Sequence, residues 1–421
     1  MKNFLVIVLL GAVTLMGCGG GSSNGDNNDN SNSNNDNDND NDVFTPAYSV
    51  NFYNTNLDLI NSKKIKISSD NDTVSINIPE LKAEFNIIET LHRNSSSEDV
   101  SNIVDYNITG NINFYTISDI KEITTQSELA YINTNVNTLA GKYMLMKDIN
   151  LTEGEAGFED AEKGWKPIGN NLRTNYFKGI FNGNGHKIAN LWINRTSEDY
   201  VGLFGYIYTS NIKNLGVEIN EGKSINGNDN VGGIAGYAYK SNIIKSYSAG
   251  NVSGNSQVGG IVGYATRSSI EDVYSTGNIN GNSYIGGIAG NLNTNAIIRS
   301  YSAGNISGNS QVGGIVGYVG ISAIVHNSMA INPSIIGATD VSRIVGYAND
   351  DASIANNFAR TGLVNSNFKI ANVNFGISTN DDEFLSQKIY TRVIWRFGRD
   401  DANPWQIDEN AGYPYFYWEK R

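Results

Sequence analysis

Seven residues, Val231-Gly-Gly-Ile-Ala-Gly-Tyr, return almost unchanged at Val258, Ile285 and Val312, and in weakened form at Val341 as Val-Ser-Arg-Ile-Val-Gly-Tyr. The first three steps are 27 residues each and the last is 29; a degenerate copy, Val201-Gly-Leu-Phe-Gly-Tyr, precedes the first by 30. A fixed period of this length marks stacked supersecondary units, none of which can bury its own apolar face alone. The chain is therefore expected to build a solenoid.

Each unit holds short alternating segments separated by Gly, Asn and Ser, with no apolar stripe of helical spacing, which selects strands. In 258–284 the pattern predicts three: Val258 to Ala265, Ile270 to Ser275, and Asn278 to Ile279. Three such strands make about one rung of a parallel, right-handed β-helix. Superposing rungs predicts one ladder from Ile243, Ile270, Ile297 and Ile324. A second is Tyr247, Tyr274 and Tyr301, and a third is Val252, Ile279 and Ile306. Gly250, Gly277 and Gly304, each followed by Asn, are expected to form turns in which Gly supplies positive φ. Ile270 and Ile297 should point inward, Gly260 should tolerate no bulky side chain, and Asn295 should be a dispensable turn residue. The Tyr ladder could offer a sugar-stacking platform; the structural reading, that it fills or covers the rung, is preferred.

The Val-Gly-Gly-Ile-x-Gly cores followed by Ser-Tyr-Ser-x-Gly-Asn resemble the GLUG repeat family of large bacterial surface and secreted proteins, some of them adhesin-like. The lead-in Tyr143-Met-Leu-Met-Lys-Asp-Ile-Asn-Leu, Trp165-Lys-Pro-Ile-Gly and Phe177-Lys-Gly-Ile-Phe-Asn-Gly-Asn-Gly-His-Lys-Ile is similar to the usual start of such solenoids. Asn403-Pro-Trp-Gln-Ile-Asp and Gly412-Tyr-Pro-Tyr are similar to their end. The resemblance covers about 120–421 and implies fold more than activity. The last two units depart from it: Pro333 is expected on the third-strand ladder, and Ser342-Arg343 replaces the Gly pair, so pairing there should loosen.

Residues 1–17 have a basic start at Lys2 and an apolar run from Phe4 to Met16, too short for a convincing membrane span and readable as a secretory signal. Leu15-Met16-Gly17-Cys18 matches the bacterial lipobox, so Cys18, the chain's one cysteine, is expected to carry the lipid of a mature lipoprotein at the outer membrane. Residues 18–42 then form a tether. Beyond Cys18 it holds only Gly, Ser, Asn and Asp, including six aspartates (26, 29, 36, 38, 40 and 42), and it cannot bury a core. Residues 43–118 should form a small β-rich domain, with strands at Val50-Asn-Phe-Tyr, Lys64-Ile-Lys-Ile, Val74-Ser-Ile-Asn-Ile and Ile112-Asn-Phe-Tyr. The solenoid is placed at 119–383. Thr125-x-x-Glu128 opens its N-terminal capping helix with Leu129 and Ile132 inward. Residues 384–421, rich in aromatics (Phe384, Tyr390, Trp395, Trp405, Tyr413, Tyr415, Trp418), should cover its open end.

The search for chemistry returns little. His92, His186 and His326 form no His-Glu-x-x-His motif, and no Gly-x-Ser-x-Gly elbow or phosphate loop is present. His186 reads as part of a turn between rungs. Paired aspartates at 350–351, 381–382 and 400–401 lie far apart in loop-like contexts. No catalytic, metal or cofactor-binding residue is assigned, and none is expected. The net charge of −12 and pI of about 4.8 argue against nucleic acid, which needs a basic face.

Two classes of function remain in view: a tethered, monomeric interaction or adhesion module facing host cells or glycans, and a polysaccharide-active enzyme using carboxylates in a groove. A purely structural envelope component is a third. Carboxylates converging within about 5–10 Å would favour the enzyme; a flat, carboxylate-poor face favours the module. If a partner binds, the variable turns between the first and second strands, which stack into one column, are a candidate strip through Tyr239, Lys240 and Arg267. Asp105-Tyr-Asn107-Ile-Thr109 and Asp148-Ile-Asn150-Leu-Thr152 fit an extended bacterial N-glycosylation sequon at Asn107 and Asn150.

Overall fold

The computed structural model describes residues 120–361 and 376–419, apart from 160, 171–173, 401 and 409–411, and, before residue 120, only the backbone of strands. The chain divides into two compact units, Met1–Asp119 and Ile120–Arg421. In the first, strands Ala47–Tyr53, Leu59–Lys66, Thr73–Asn77 and Asn113–Tyr115 overlap the four expected segments. Cys18 and the tether lie outside the described residues.

The second unit is a parallel β-solenoid. The capping box at Thr125 and Glu128 is formed, the helix spans Gln126–Tyr131, and Leu129 and Ile132 are fully buried. Strand Lys142–Leu145 pairs in parallel with Ile120–Ile123 on one side and with Ile180–Leu191 on the other, so stacking starts at the cap itself.

A rung holds four strands rather than three. In the rung of residues 256–280 they are Ser256–Gly259, Val262–Thr266, Ser269–Ser275 and Ile279–Asn280. Each belongs to a different parallel sheet. The segment read as one strand from Val258 to Ala265 breaks at Gly260-Ile261, because a Cβ on Gly260 would land on the Ser275 hydroxyl and the Gly287 carbonyl. The chain bends there, Ile261 turns inward, and Ile234, Ile261, Ile288, Ile315 and Ile344 fill the corner with no exposed surface.

The predicted interior ladders form in register: Ile243 with Ile270 and Ile297, and Val252 with Ile279 and Ile306. All are buried. The first ladder does not continue through Ile324. Ile297 pairs with Val325, and Ile324 moves to a half-buried outward place opposite Ala296. The 29-residue step explains it. One additional residue sits in the turn after Val319, and a second lies before Ile335, which replaces Pro333 on the third ladder. Pro333 is thereby looped out, and pairing continues past it through Val341 and Val345.

The corners use left-handed residues that are not glycine. Three columns adopt φ between 48° and 62°: Thr209, Lys240, Arg267, Thr294 and Ser322; Asn214, Lys245, Asp272, Arg299, Asn327 and Asn356; and Tyr200, Asn230, Gln257, Tyr284, Gln311 and Asp340. Such a conformation costs an L-residue on the order of 1–2 kcal/mol, so neighbouring rungs must hold it. In the first two columns a serine often follows. The Ser241 hydroxyl donates to the Tyr239 carbonyl and accepts the Ser210 amide at 3.1 Å; Ser268 does the same for Thr266 and Ser241. Ser246, Ser300 and Ser328 repeat the device in the second column. Asn295 stands in this series, 6% exposed, with its Oδ1 accepting the Ser268 amide. It is a buried corner residue, contrary to the dispensable role expected of it.

Gly277 and Gly304 serve close approach rather than positive φ. A Cβ on Gly277 would fall onto the Gly250 carbonyl, and one on Gly304 onto that of Gly277. Gly250 alone of the three has positive φ, at 119°.

The C-terminal segment does not plug the end of the solenoid. After short helices at Asp381–Phe384 and Gln387–Thr391 it runs back along one flank. Trp395 Nε1 donates to the Asn327 carbonyl, Trp405 Nε1 to Asp272, and Tyr301 Oη to the Pro414 carbonyl. Trp418 reaches Tyr247 and lies beside Gly185, several rungs from the last. The reason is apolar area: Tyr247, Tyr274, Tyr301, Met329 and Phe358 face outward along that flank, and the tail's aromatics bury them in a second core.

Candidate interaction surface

The solenoid carries two tyrosine columns, one sealed and one open. The sealed column is the predicted ladder of Tyr247, Tyr274 and Tyr301. Its rings stack in parallel at 4.9 Å, tilted 7° and 4°, and exposure is 5% or less. The tail covers it, so it offers no platform to a ligand.

The open column lies on the sheet formed by Phe204–Tyr208, Ala235–Tyr239, Val262–Thr266, Ala289–Asn293, Val316–Val319 and Val345–Ala348. On its inner face Ile207, Ala238, Ala265, Leu292 and Val319 are fully buried. Strand parity therefore turns Tyr206, Tyr237, Tyr264, Asn291, Tyr318 and Tyr347 outward, in register. The tyrosines are half-buried, rising to 44% exposure at Tyr347. Tyr206, Tyr237 and Tyr264 pack edge to face at 4.7 and 5.0 Å, both at 84°, a preferred aromatic geometry. Tyr176, Tyr200, Tyr208 and Tyr239 widen the patch, with Tyr208 and Tyr239 stacked at 5.3 Å. Partial burial, reinforced by neighbouring tyrosines, pushes the Tyr206 hydroxyl up to about 12 and that of Tyr237 higher still. Tyr206 and Tyr237 therefore present un-ionised hydroxyls at ordinary pH.

A polar column borders it. Each glycine preceding a strip tyrosine brings its strand against the left-handed residue of the neighbouring corner: Gly236 against Tyr200 and Asn230, Gly263 against Asn230, Gly290 against Gln257, Gly317 against Tyr284 and Gly346 against Gln311. Along that edge the column reads Tyr200, Asn230, Gln257, Tyr284, Gln311 and Asp340, so tyrosines and amides line it and one carboxylate ends it.

The turn column predicted from sequence lies at the other edge. Arg267 Nη1 donates to Tyr239 Oη at 3.4 Å, and Lys240 Nζ sits 5.4 Å from the centre of the same ring. Lys240, Arg267, Thr294, Asn295 and Ser322 line one shallow, open groove. The structure brings Tyr239, Lys240 and Arg267 together, and it places them at the margin of a larger aromatic patch that the sequence reading did not single out. The signal was present, since the last letter of every repeat core is that tyrosine, or Asn291 in one rung.

Acidic groups support turns. Asp351 accepts from the Ser322 amide and hydroxyl, and Asp400 from the amides of Ala402 and Asn403. Asp272 is clamped by Arg299 at 2.8 and 2.7 Å and by Trp405. His186 lies in the bulged strand Ile180–Leu191, not in a turn between rungs, with Nδ1 3.2 Å from Asp148. His326 contacts Ser353, and burial lowers its pKa. Among the described residues no cluster of three or more His, Cys, Asp or Glu could hold a metal ion. Asn150 is exposed at the end of strand Ile149–Asn150, and Asn107 ends strand Ile103–Asn107.

With repeat and rung matched residue for residue, comparison with known families is decisive on one point. The chain carries a GLUG motif. The family model described as the GLUG motif matches residues 254–280, the rung dissected above. A Gly-rich protein of Evansella cellulosilytica, described as a membrane protein, is 43% identical over 76 residues, covering 17% of this chain and 8% of its own length. Halomucin of Haloquadratum walsbyi is 34% identical over 111 residues, covering 26% of this chain and 1% of its own. The chain thus matches only a small part of either curated relative. A Bacteroides ovatus crystal structure, provisionally assigned as an immunoglobulin A1 protease, superposes with a TM-score of 0.52 at 20% identity, covering 72% of this chain and 93% of that one. This likeness extends the solenoid fold to that protein.

Proposed function

We propose that this chain is a non-catalytic interaction module of the bacterial cell surface, tethered through a lipid on Cys18 and presenting the open tyrosine strip to a partner. The observation that carries the reading is the contrast between the two columns. Burying an aromatic side chain stabilises by roughly 1.5–3 kcal/mol, and the tail secures that gain for Tyr247, Tyr274 and Tyr301. The strip of Tyr206, Tyr237, Tyr264, Tyr318 and Tyr347 receives no such cover from the described residues, and contiguous exposed aromatic area on a soluble fold marks a contact surface. Among the described residues, Asp351 and Asp400 are engaged in turns and Asp272 is held by Arg299 and Trp405, which supports the non-catalytic side of the reading, and the relative described as a membrane protein supports envelope association.

The test is display of the full chain on cells. Wild type should confer adhesion to its target surface, and Tyr237→Ala with Tyr264→Ala should reduce it at matched display. Adhesion unchanged by that pair would contradict the strip as the contact. For the anchor, Cys18→Ser should abolish labelling by a palmitate analogue and release the protein from membranes; equal membrane retention and labelling would contradict lipidation.

A further inference from the structure

The strip has a break with its own chemistry. At the fourth rung of the column Asn291 replaces tyrosine, between Tyr264 and Tyr318. It is 9% exposed, and its Oδ1 has no hydrogen-bond partner in the protein. Asn230, in the bordering column beside Gly263, is 8% exposed and has the same unpartnered oxygen. Buried polar atoms are almost always paired, and one left without a partner costs about 1–3 kcal/mol. Both oxygens are shielded from solvent, and the protein leaves their hydrogen-bonding capacity unmet. Tyr284 closes the side of the break, with its ring against Tyr318 at 5.4 Å and 89°.

We infer that the strip binds an uncharged polysaccharide, laid along the solenoid axis with sugar faces on Tyr206, Tyr237 and Tyr264 and a hydroxyl donated to Asn291. The inference rests on the interaction reading above and names its ligand class. Four features select that class. Tyrosine rings bind apolar faces and their hydroxyls bind polar rims, which suits a ring with C–H groups on its faces and O–H groups around its edge. The bordering residues Asn230 and Gln257 are amides, which both donate and accept, as sugar hydroxyls do, while Gln311 gives its Nε2–H to Asp340. No charged side chain stands in the tyrosine column itself; Lys240 and Arg267 lie at its margin on Tyr239, and Asp340 ends the bordering column. Finally, the column repeats at the spacing of paired strands, about 4.8 Å, comparable to one sugar unit, so a regular polymer keeps step with the rungs.

Affinity electrophoresis of the full chain tests this, in native gels containing β-glucan, mannan or dextran, with alginate as the charged comparison. Wild type should be retarded in at least one uncharged gel and not in alginate. Tyr237→Ala with Tyr264→Ala should weaken the interaction about tenfold or more, two aromatic contacts being removed. Asn291→Ala should weaken it by a smaller factor. That variant has no internal hydrogen bond to lose, so it remains informative if the tyrosine pair fails to fold. Tyr131→Ala, on the capping helix, should behave as wild type. Equal retardation of wild type and strip variants overturns the inference, as does retardation in alginate alone. Cells that adhere through the strip while no uncharged gel retards the protein overturn the glycan assignment and leave the interaction reading standing. If the protein neither adheres nor is retarded, both fall.

Discussion

Trp405 donates its indole N–H to Asp272 at 3.0 Å across 133 residues, and the same carboxylate receives Arg299 from the next rung. This buried three-way contact fixes the tail to the flank and seals the inner tyrosine column. Trp405→Ala should therefore cost about 3–5 kcal/mol, typical of a large aromatic lost from a core. The loss should appear as a lower thermal midpoint and increased binding of a hydrophobic dye, since Tyr274 and Tyr301 lose their cover. An unchanged midpoint would mean that the tail is not docked.

Asn295 takes the corner place that Ser241 and Ser268 hold in earlier rungs. Asn295→Ala removes the acceptor for the buried Ser268 amide and should cost about 1–3 kcal/mol. Asn295→Ser should be neutral or stabilising, because it restores the pattern of the neighbouring rungs and removes an unpartnered Nδ2. Denaturant unfolding of both variants checks the pair; the reverse order would contradict the corner mechanism.

Gly277 has no room for a methyl group against the Gly250 carbonyl. Gly277→Ala should destabilise severely or block folding, whereas Gly222→Ala, with open space but positive φ, should cost only about 1–2 kcal/mol of backbone strain. Comparable yields and melting curves for the two would contradict close rung packing at Gly277.

The tyrosine strip makes a pH prediction. Burial, aided by neighbouring tyrosines, raises the folded pKa of Tyr206 to about 12, against roughly 10 in an unfolded chain. A raised folded pKa gives stability that is fully present below the unfolded value and lost as pH rises through the folded one. Thermal midpoints should fall from about pH 10 upward, and Tyr206→Phe should show a shallower fall than wild type. Parallel curves would place Tyr206 in water.

Much of this fold was legible because the 27-residue period aligns like with like: the Ile243, Tyr247 and Val252 series needed only superposition. What the period could not show is where a strand bends. That Gly260 has no room for a bulky side chain was legible, but the bend it permits is set by the Ser275 hydroxyl on another strand. Equal spacing also misassigned Ile324 and Pro333, because the two added residues of the 29-residue step fall in separate turns. The choice of tyrosine column was illegible for a related reason. Both series repeat equally well, and only the docking of a tail about a hundred residues away in sequence decides which one stays open.

The central claim, one column sealed and one open, is tested most directly by mapping tyrosine nitration on the folded chain by peptide mass spectrometry. Tyr237, Tyr264, Tyr318 and Tyr347 should be modified, while Tyr247, Tyr274 and Tyr301 should be protected until Trp405→Ala loosens the tail. Modification of Tyr274 and Tyr301 in the wild type, with Tyr237 and Tyr264 protected, would contradict it.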